Sequence, residues 1–147
     1  MKPTTTWIVI ANGARARVVQ NNGPAKGIEA LVDLVFEGDH SASSEVMADK
    51  PGRTFDSVGS SRHAMEPSTD PHEALKTQFA KRIADVLDNR IDSYDRMILV
   101  APPATLGLLR KSLSDAVADK VTGELGKDLT HLPNIDLPAH LRDLVLL

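Results

Sequence analysis

Residues 94–113, YDRMILVAPPATLGLLRKSL, constrain the fold more than any other stretch of this chain. Met97-Ile98-Leu99-Val100 is a continuous apolar run of strand length, as expected for a central strand covered on both faces. Pro102 and Pro103 stop it, because proline has no ladder donor and pushes the residue before it away from helix. Thr105 is placed to cap a helix from about Leu106 to Asp119, with Leu106, Leu109, Leu113 and Val117 on one face. Strand, turn and helix in that order point to an open α/β sheet. The carboxyl end of such a strand is where these sheets tend to place their sites.

The rest of the chain supplies partners for that unit. Thr4 to Ala11 is β-rich, and Asn12-Gly13 after it signals a hairpin, since both residues tolerate positive φ. Ala14 to Gln20 resumes as a second strand with Arg15 and Arg17 on one face and Ala14, Ala16 and Val18 on the other. After the turn cluster Asn21-Asn22-Gly23-Pro24, Ile28 to Glu37 has helical propensity. Its β-branched content and short bounding turns favour a third strand with Val32, Leu34 and Phe36 inward. Residues 38–72 are rich in Ser, Asp, Gly and Pro and show no period, too long for an ordinary connection. Order returns at Asp70-Pro71-His72-Glu73, a capping box for a helix to about Asp92 that buries Leu75, Phe79, Ile83, Val86, Leu87 and Ile91. Val121 to Leu129 reads as an edge or bulged strand with two glycines. Asp136-Leu137-Pro138 starts a last helix with Leu137, Leu141, Leu144 and Val145 on one face. The fold class is α/β: a mixed sheet with an antiparallel amino-terminal meander and packed helices, in a single domain over 1–147 with a long polar loop at 38–72.

Composition narrows the function. Only 3% of residues are aromatic and the net charge is −3, which argues against stacking platforms and against a broadly basic face. There is no cysteine, so disulfides, thiolate metal sites and cysteine nucleophiles are excluded. The apolar run Trp7 to Ala11 is too short for a signal peptide or a membrane span, and the reading is a cytoplasmic protein with no membrane contact.

Four segments carry a resemblance: TWIVIANGARARV at 6–18, GRTFDS at 52–57, MILVAPPATLGLLRKSL at 97–113, and ELGKDLTHLP with DLPAHL at 124–141. They resemble the bacterial family described as proteins required for attachment to host cells. That family is similar in turn to the middle domain of archaeal and eukaryotic peptide release factors and Pelota. The resemblance implies a ribonuclease H-like α/β sandwich. Release factors carry a Gly-Gly-Gln tripeptide in the long loop. Here the loop offers Ser57-Val58-Gly59-Ser60-Ser61-Arg62, and the chain's glutamines are Gln20 and Gln78. Release chemistry of the usual kind is therefore not implied.

Candidate sites are few. His40, His63 and His72 with nearby acids lack metal-ligand spacing, and Ser57, Ser60 or Ser61 with His63 lacks a nucleophile elbow. A solvated acidic loop explains both. Arg53 and Arg62 in the loop, with Arg110 and Lys111 on the helix after the 97–100 run, are the candidate phosphate or RNA contacts, meeting at a helix N-terminus. Arg15 and Arg17 either extend that patch or guard an edge. Asp128, Thr130 and His131 form either a carboxylate–histidine couple or, more simply, a stitched turn. No metal and no cofactor are implied. The leading reading is a non-catalytic domain binding RNA, tRNA or the ribosome. The alternatives are a hydrolase using loop His or carboxylates, and a protein-interaction module, for which an apolar patch at 144–147 would speak.

Overall fold

The computed structural model describes residues 3–38, 71–145 and 147. Arg53, Arg62, the loop histidines His40 and His63, the serines 57, 60 and 61 and the expected cap Asp70 lie outside these residues.

Alternation along two strands builds the fold. β1 (Thr6–Ala11) is buried along its whole length, with Trp7, Val9 and Ala11 in one apolar cluster and Ile8 and Ile10 in another. β4 (Arg96–Val100) does the same: Met97 and Leu99 face the first cluster, Ile98 and Val100 the second. A strand that buries both faces needs a layer on each side. One layer is helical: α1 (Pro71–Asn89), α2 (Pro103–Ser112) and α3 (Asp115–Ala118) supply Phe79, Ile83, Leu87, Leu106, Leu109 and Val117. The other is the carboxyl-terminal segment, where Leu129, then Leu137 and Leu141 of α4 (Leu137–Leu141), and Val145 close the second cluster.

The sheet is mixed. β2 (Arg15–Asn21) and β3 (Glu29–Glu37) continue from β1 as an antiparallel meander, while β4 and β5 (Val121–Leu125) run parallel to β1. The order is β3-β2-β1-β4-β5. β4 is interior, paired on both sides and covered on both faces as expected, with β1 beside it in the middle place. β5 is the expected edge strand, with a register shift opposite Met97 and Ile98, but it ends at Leu125 rather than Leu129.

Several local expectations are corrected. α2 starts at Pro103 with Pro102 as N-cap, because proline's fixed φ suits the first helical position; Thr105 lies inside the helix, not at its cap. The expected helix over 106–119 is two helices. Leu113 is extended, and the Ser114 hydroxyl caps α3 by accepting from the Val117 amide at 3.2 Å. In β3, Leu34 and Phe36 face inward as expected, but Val32 is 84% exposed. Arg17 pairs with Val35 and Val19 with Ala30, so β3 bulges there and Val32 turns outward. β2 lies between β3 and β1, so Arg15 and Arg17 guard no edge. At the terminus Val145 is buried in the second cluster, and Leu144 and Leu147 are half-buried against it.

Tyr94 fastens the other end of the sheet. Its ring lies 4.7 Å from that of Trp7, its hydroxyl donates to the Leu87 carbonyl at 2.8 Å, and Lys120 sits 4.9 Å over its face. Burial, with a smaller contribution from the Asp88 charge, pushes its phenol up to about 12. A raised pKa favours the neutral form, so this contribution to stability is complete below pH 10 and is lost as the pH rises towards 12. Tyr94 is the chain's one tyrosine, so phenolate absorbance reads it alone. We expect that absorbance to appear with a midpoint about 2 units above the free phenol. Tyr94→Phe should cost about 1 kcal/mol near neutrality and flatten the alkaline limb. A titration near pH 10 would contradict this.

Candidate functional site

At the carboxyl end of β1 the chain turns through Asn12, Gly13 and Ala14. Neither Asn12 nor Gly13 has positive φ, contrary to the expected reason for this pair. The turn is closed at Asn12: its side-chain Oδ1 accepts from the Ala14 and Arg15 amides at 2.8 and 2.9 Å, and its backbone N–H donates to the Arg15 carbonyl. Gly13 lets the chain pass close to a helix side chain. A Cβ there would lie 3.2–3.3 Å from Cγ, Cδ and Cε of Lys76, whose stem crosses the turn.

The other end of the Asn12 amide faces the carboxyl-terminal segment. Its Nδ2 donates to Asp128 Oδ2 at 3.0 Å and to Thr130 Oγ1 at 3.1 Å. Asp128 Oδ1 accepts from the Thr130 amide and hydroxyl at 2.9 and 2.6 Å, a stitched turn. Burial alone would raise the Asp128 carboxyl. The hydrogen bonds from Thr130 and Asn12, with the nearby His131 charge, outweigh it and hold the group below its ordinary value. His131 is exposed, and the hydrogen bonds of Asp128 are to Thr130 and Asn12.

One strand over, Arg17 spans the gap between sheet and segment. Its Nε donates to Asn134 Oδ1 at 2.9 Å, Nη1 to the Thr130 carbonyl at 3.1 Å and Nη2 to the Leu132 carbonyl at 2.6 Å. Burial pushes its pKa down, and the guanidinium stays charged. Sequence reasoning placed Arg17 on an outer face and passed over Asn134. The available signal was an arginine between Ala16 and Val18 in a strand with neighbours on both sides.

Beside this network, a cleft of about 330 Å³ opens at the carboxyl ends of β1 and β4. Gly13 forms its floor; Glu73 and Lys76 come from the first turns of α1, and Pro102, Ala104, Thr105 and Leu108 from the start of α2. Two helix N-termini meet here, so the local field favours an anion although the chain is net acidic. Lys76 and Glu73 pair at 3.6 Å, both well exposed.

The family model described as "Protein required for attachment to host cells" matches residues 7–141, from β1 through α4, and so takes in the whole of this site. The chain belongs to that family. No curated protein matches it. The family's description states a cellular outcome and leaves the chemistry open.

In this host attachment family member, Arg110 and Lys111 occupy the last turn of α2, where cations complement the helix dipole. They lie at the opposite end of α2 from its N-terminus. Arg110 is paired with Glu124 of β5, with its Nε 3.0 Å from Oε2. Hydrogen bonding to Arg110 holds the Glu124 carboxyl below its ordinary value, against the effect of burial. Lys111 is exposed. Among the described residues no group of three or more His, Asp or Glu is arranged to hold a metal ion, and no helix is long and apolar enough to cross a membrane.

Proposed function

We propose that this host attachment family protein is a non-catalytic cytosolic domain that binds the phosphates of RNA, with tRNA or the ribosome as partner. The observation that carries this reading is the cleft between two helix N-termini at the carboxyl end of the sheet. The described residues on either side of 39–70, Gly38 and Pro71, both lie at that end. Gly38 bonds to the Ala14 carbonyl beside the β1–β2 turn, and Pro71 opens α1. The likeness to release-factor middle domains is what points the phosphate towards RNA. With no Gly-Gly-Gln tripeptide, the role is recognition without release chemistry, and any effect on attachment to host cells is indirect.

The test is binding of the purified chain to ribosomes and bulk tRNA across a salt series. Affinity should fall steeply with salt, and Arg53→Ala with Arg62→Ala should reduce the slope of log K against log salt by about 2. Absence of association at low salt would overturn the proposal. One feature favours a second reading, a protein-interaction module: the edge strand β3 leaves Val32 and Val35 exposed at 84% and 62%. On that reading a charge at Val35 abolishes a protein contact and leaves RNA binding untouched.

A further inference from the structure

We infer that the start of α2 is the seat of a single phosphate group, held by the Ala104 and Thr105 amides, the Thr105 hydroxyl and the Lys76 ammonium. This deepens the phosphate-binding reading by naming its contacts, which differ from the arginines read from the sequence.

The first amides of any helix lack partners within it, and the N-cap side chain usually answers one of them. Here the N-cap is Pro102, which has no acceptor to offer, and Pro103 has no N–H of its own. The Leu106 amide is answered by the Pro102 carbonyl at 2.9 Å. Among the described residues nothing answers Ala104 or Thr105.

A second observation stands apart from the helix end. Thr105 lines the cleft, is only 8% exposed, and its hydroxyl has no hydrogen-bond partner among the described residues. A buried hydroxyl normally finds one. Further along a helix the carbonyl four residues back can take such a hydroxyl, as Glu73 does for Thr77 at 3.0 Å and Leu108 for Ser112 at 2.8 Å. For Thr105 that residue is Ala101, ahead of the N-cap, so no carbonyl of its own helix answers it. A buried donor beside two unanswered amides, at the positive end of the α2 dipole, calls for an anion with several acceptor oxygens.

Lys76 adds the charge. Its stem is laid over Gly13 at the wall of the same cleft, and its ammonium is held by Glu73 at 3.6 Å. That pair is exposed and weak, so a dianionic phosphate can take the lysine from it. Glu73 therefore opposes binding, which gives the inference a variant of opposite sign. The cleft is larger than one phosphate and leaves room for whatever carries it: a free phosphate compound or an RNA.

Amide NMR of the full chain tests this, first with inorganic phosphate, then with a short RNA. Phosphate should produce saturable shifts at Ala104 and Thr105. Thr105→Val should weaken binding roughly tenfold, since it removes a hydrogen bond to a charged group. The same change should leave the melting temperature level or raise it, because an unanswered buried hydroxyl is replaced by a methyl of equal size. Glu73→Gln should tighten binding. No saturable shift at these amides, or a Thr105→Val protein that binds as tightly as the parent, overturns the seat. A loss of stability in Thr105→Val also overturns it, since the hydroxyl would then have a partner within the fold. Phosphate that binds here while RNA does not keeps the seat and removes the RNA reading. RNA that binds without moving these amides does the reverse.

Discussion

Arg17→Met is expected to lower the folding free energy by about 3 kcal/mol, moving the urea midpoint with little change in slope. Methionine keeps much of the stem's packing and removes all the donors. The Thr130 and Leu132 carbonyls and the Asn134 side chain each lose the guanidinium that now holds them. Hydrogen bonds to a charged group contribute more than neutral ones, and the acceptors left behind are partly shut off from water. Arg17→Lys should recover only part of the loss, since a compact ammonium cannot address three acceptors spread over residues 130–134. The local signature is as informative as the total. Amide exchange should rise first over residues 129–141, because that segment's other holds on the sheet are the single Asn12–Thr130 hydrogen bond and apolar contact through Leu129, Leu137 and Leu141. A change under about 0.5 kcal/mol, the range of ordinary surface substitutions, would show that apolar contact alone suffices.

Arg17 also shows where sequence reading reaches its limit. The elements themselves were legible, because each is written in a local pattern. Met97 to Val100 reads as a covered strand, Pro71 as a helix start, and Asn12-Gly13 as a turn. What local pattern does not encode is which surface another part of the chain later covers. Residues 130–134 lie more than a hundred positions from Arg17, yet they decide that this arginine is a bracket rather than a solvated cation. Val32 was missed for a related reason: a bulge in β3 shifts the inward face, and strict alternation has no sign for it.

The candidate site was legible in place but not in membership. A cleft does open at the carboxyl end of β4, where the strand-turn-helix unit leaves amides unanswered. Thr105 was noticed as a cap, but a proline at the first helical position moved the helix start ahead of it and left its hydroxyl buried. Nothing in the local pattern of α1 marks Lys76. Only the approach of its stem to Gly13 brings it to the cleft. Ser114 was readable in principle, as a serine followed by an acid and an apolar residue, but the longer apolar period across 106–117 masked the break.

Asn12→Asp tests the junction between the β1 turn and the carboxyl-terminal segment, and it does so through its sign. The aspartate keeps the oxygen that accepts from Ala14 and Arg15, so the turn survives. It replaces the donor that faces Asp128 and Thr130 with a second carboxylate oxygen. In the parent, the Asp128 pKa is depressed, so its contribution to stability is complete above the ordinary value of 3.8 and is lost as the pH falls through the lower folded value. In the variant two carboxylates share the space, and one of them must hold its proton to a higher pH than in the unfolded chain. A raised folded pKa carries its stability at low pH and loses it as the pH rises. The deficit against the parent should therefore be small in acid and grow to about 2 kcal/mol at neutrality, the site's partial exposure to solvent limiting the repulsion. Asn12→Ala separates charge from lost hydrogen bonds, because its deficit should not change between pH 5 and pH 8, roughly the range in which carboxylates are fully ionised. Denaturant midpoints for the three proteins across pH decide the matter. An Asn12→Asp curve that runs parallel to the parent would mean that residue 12 and Asp128 do not face each other in solution.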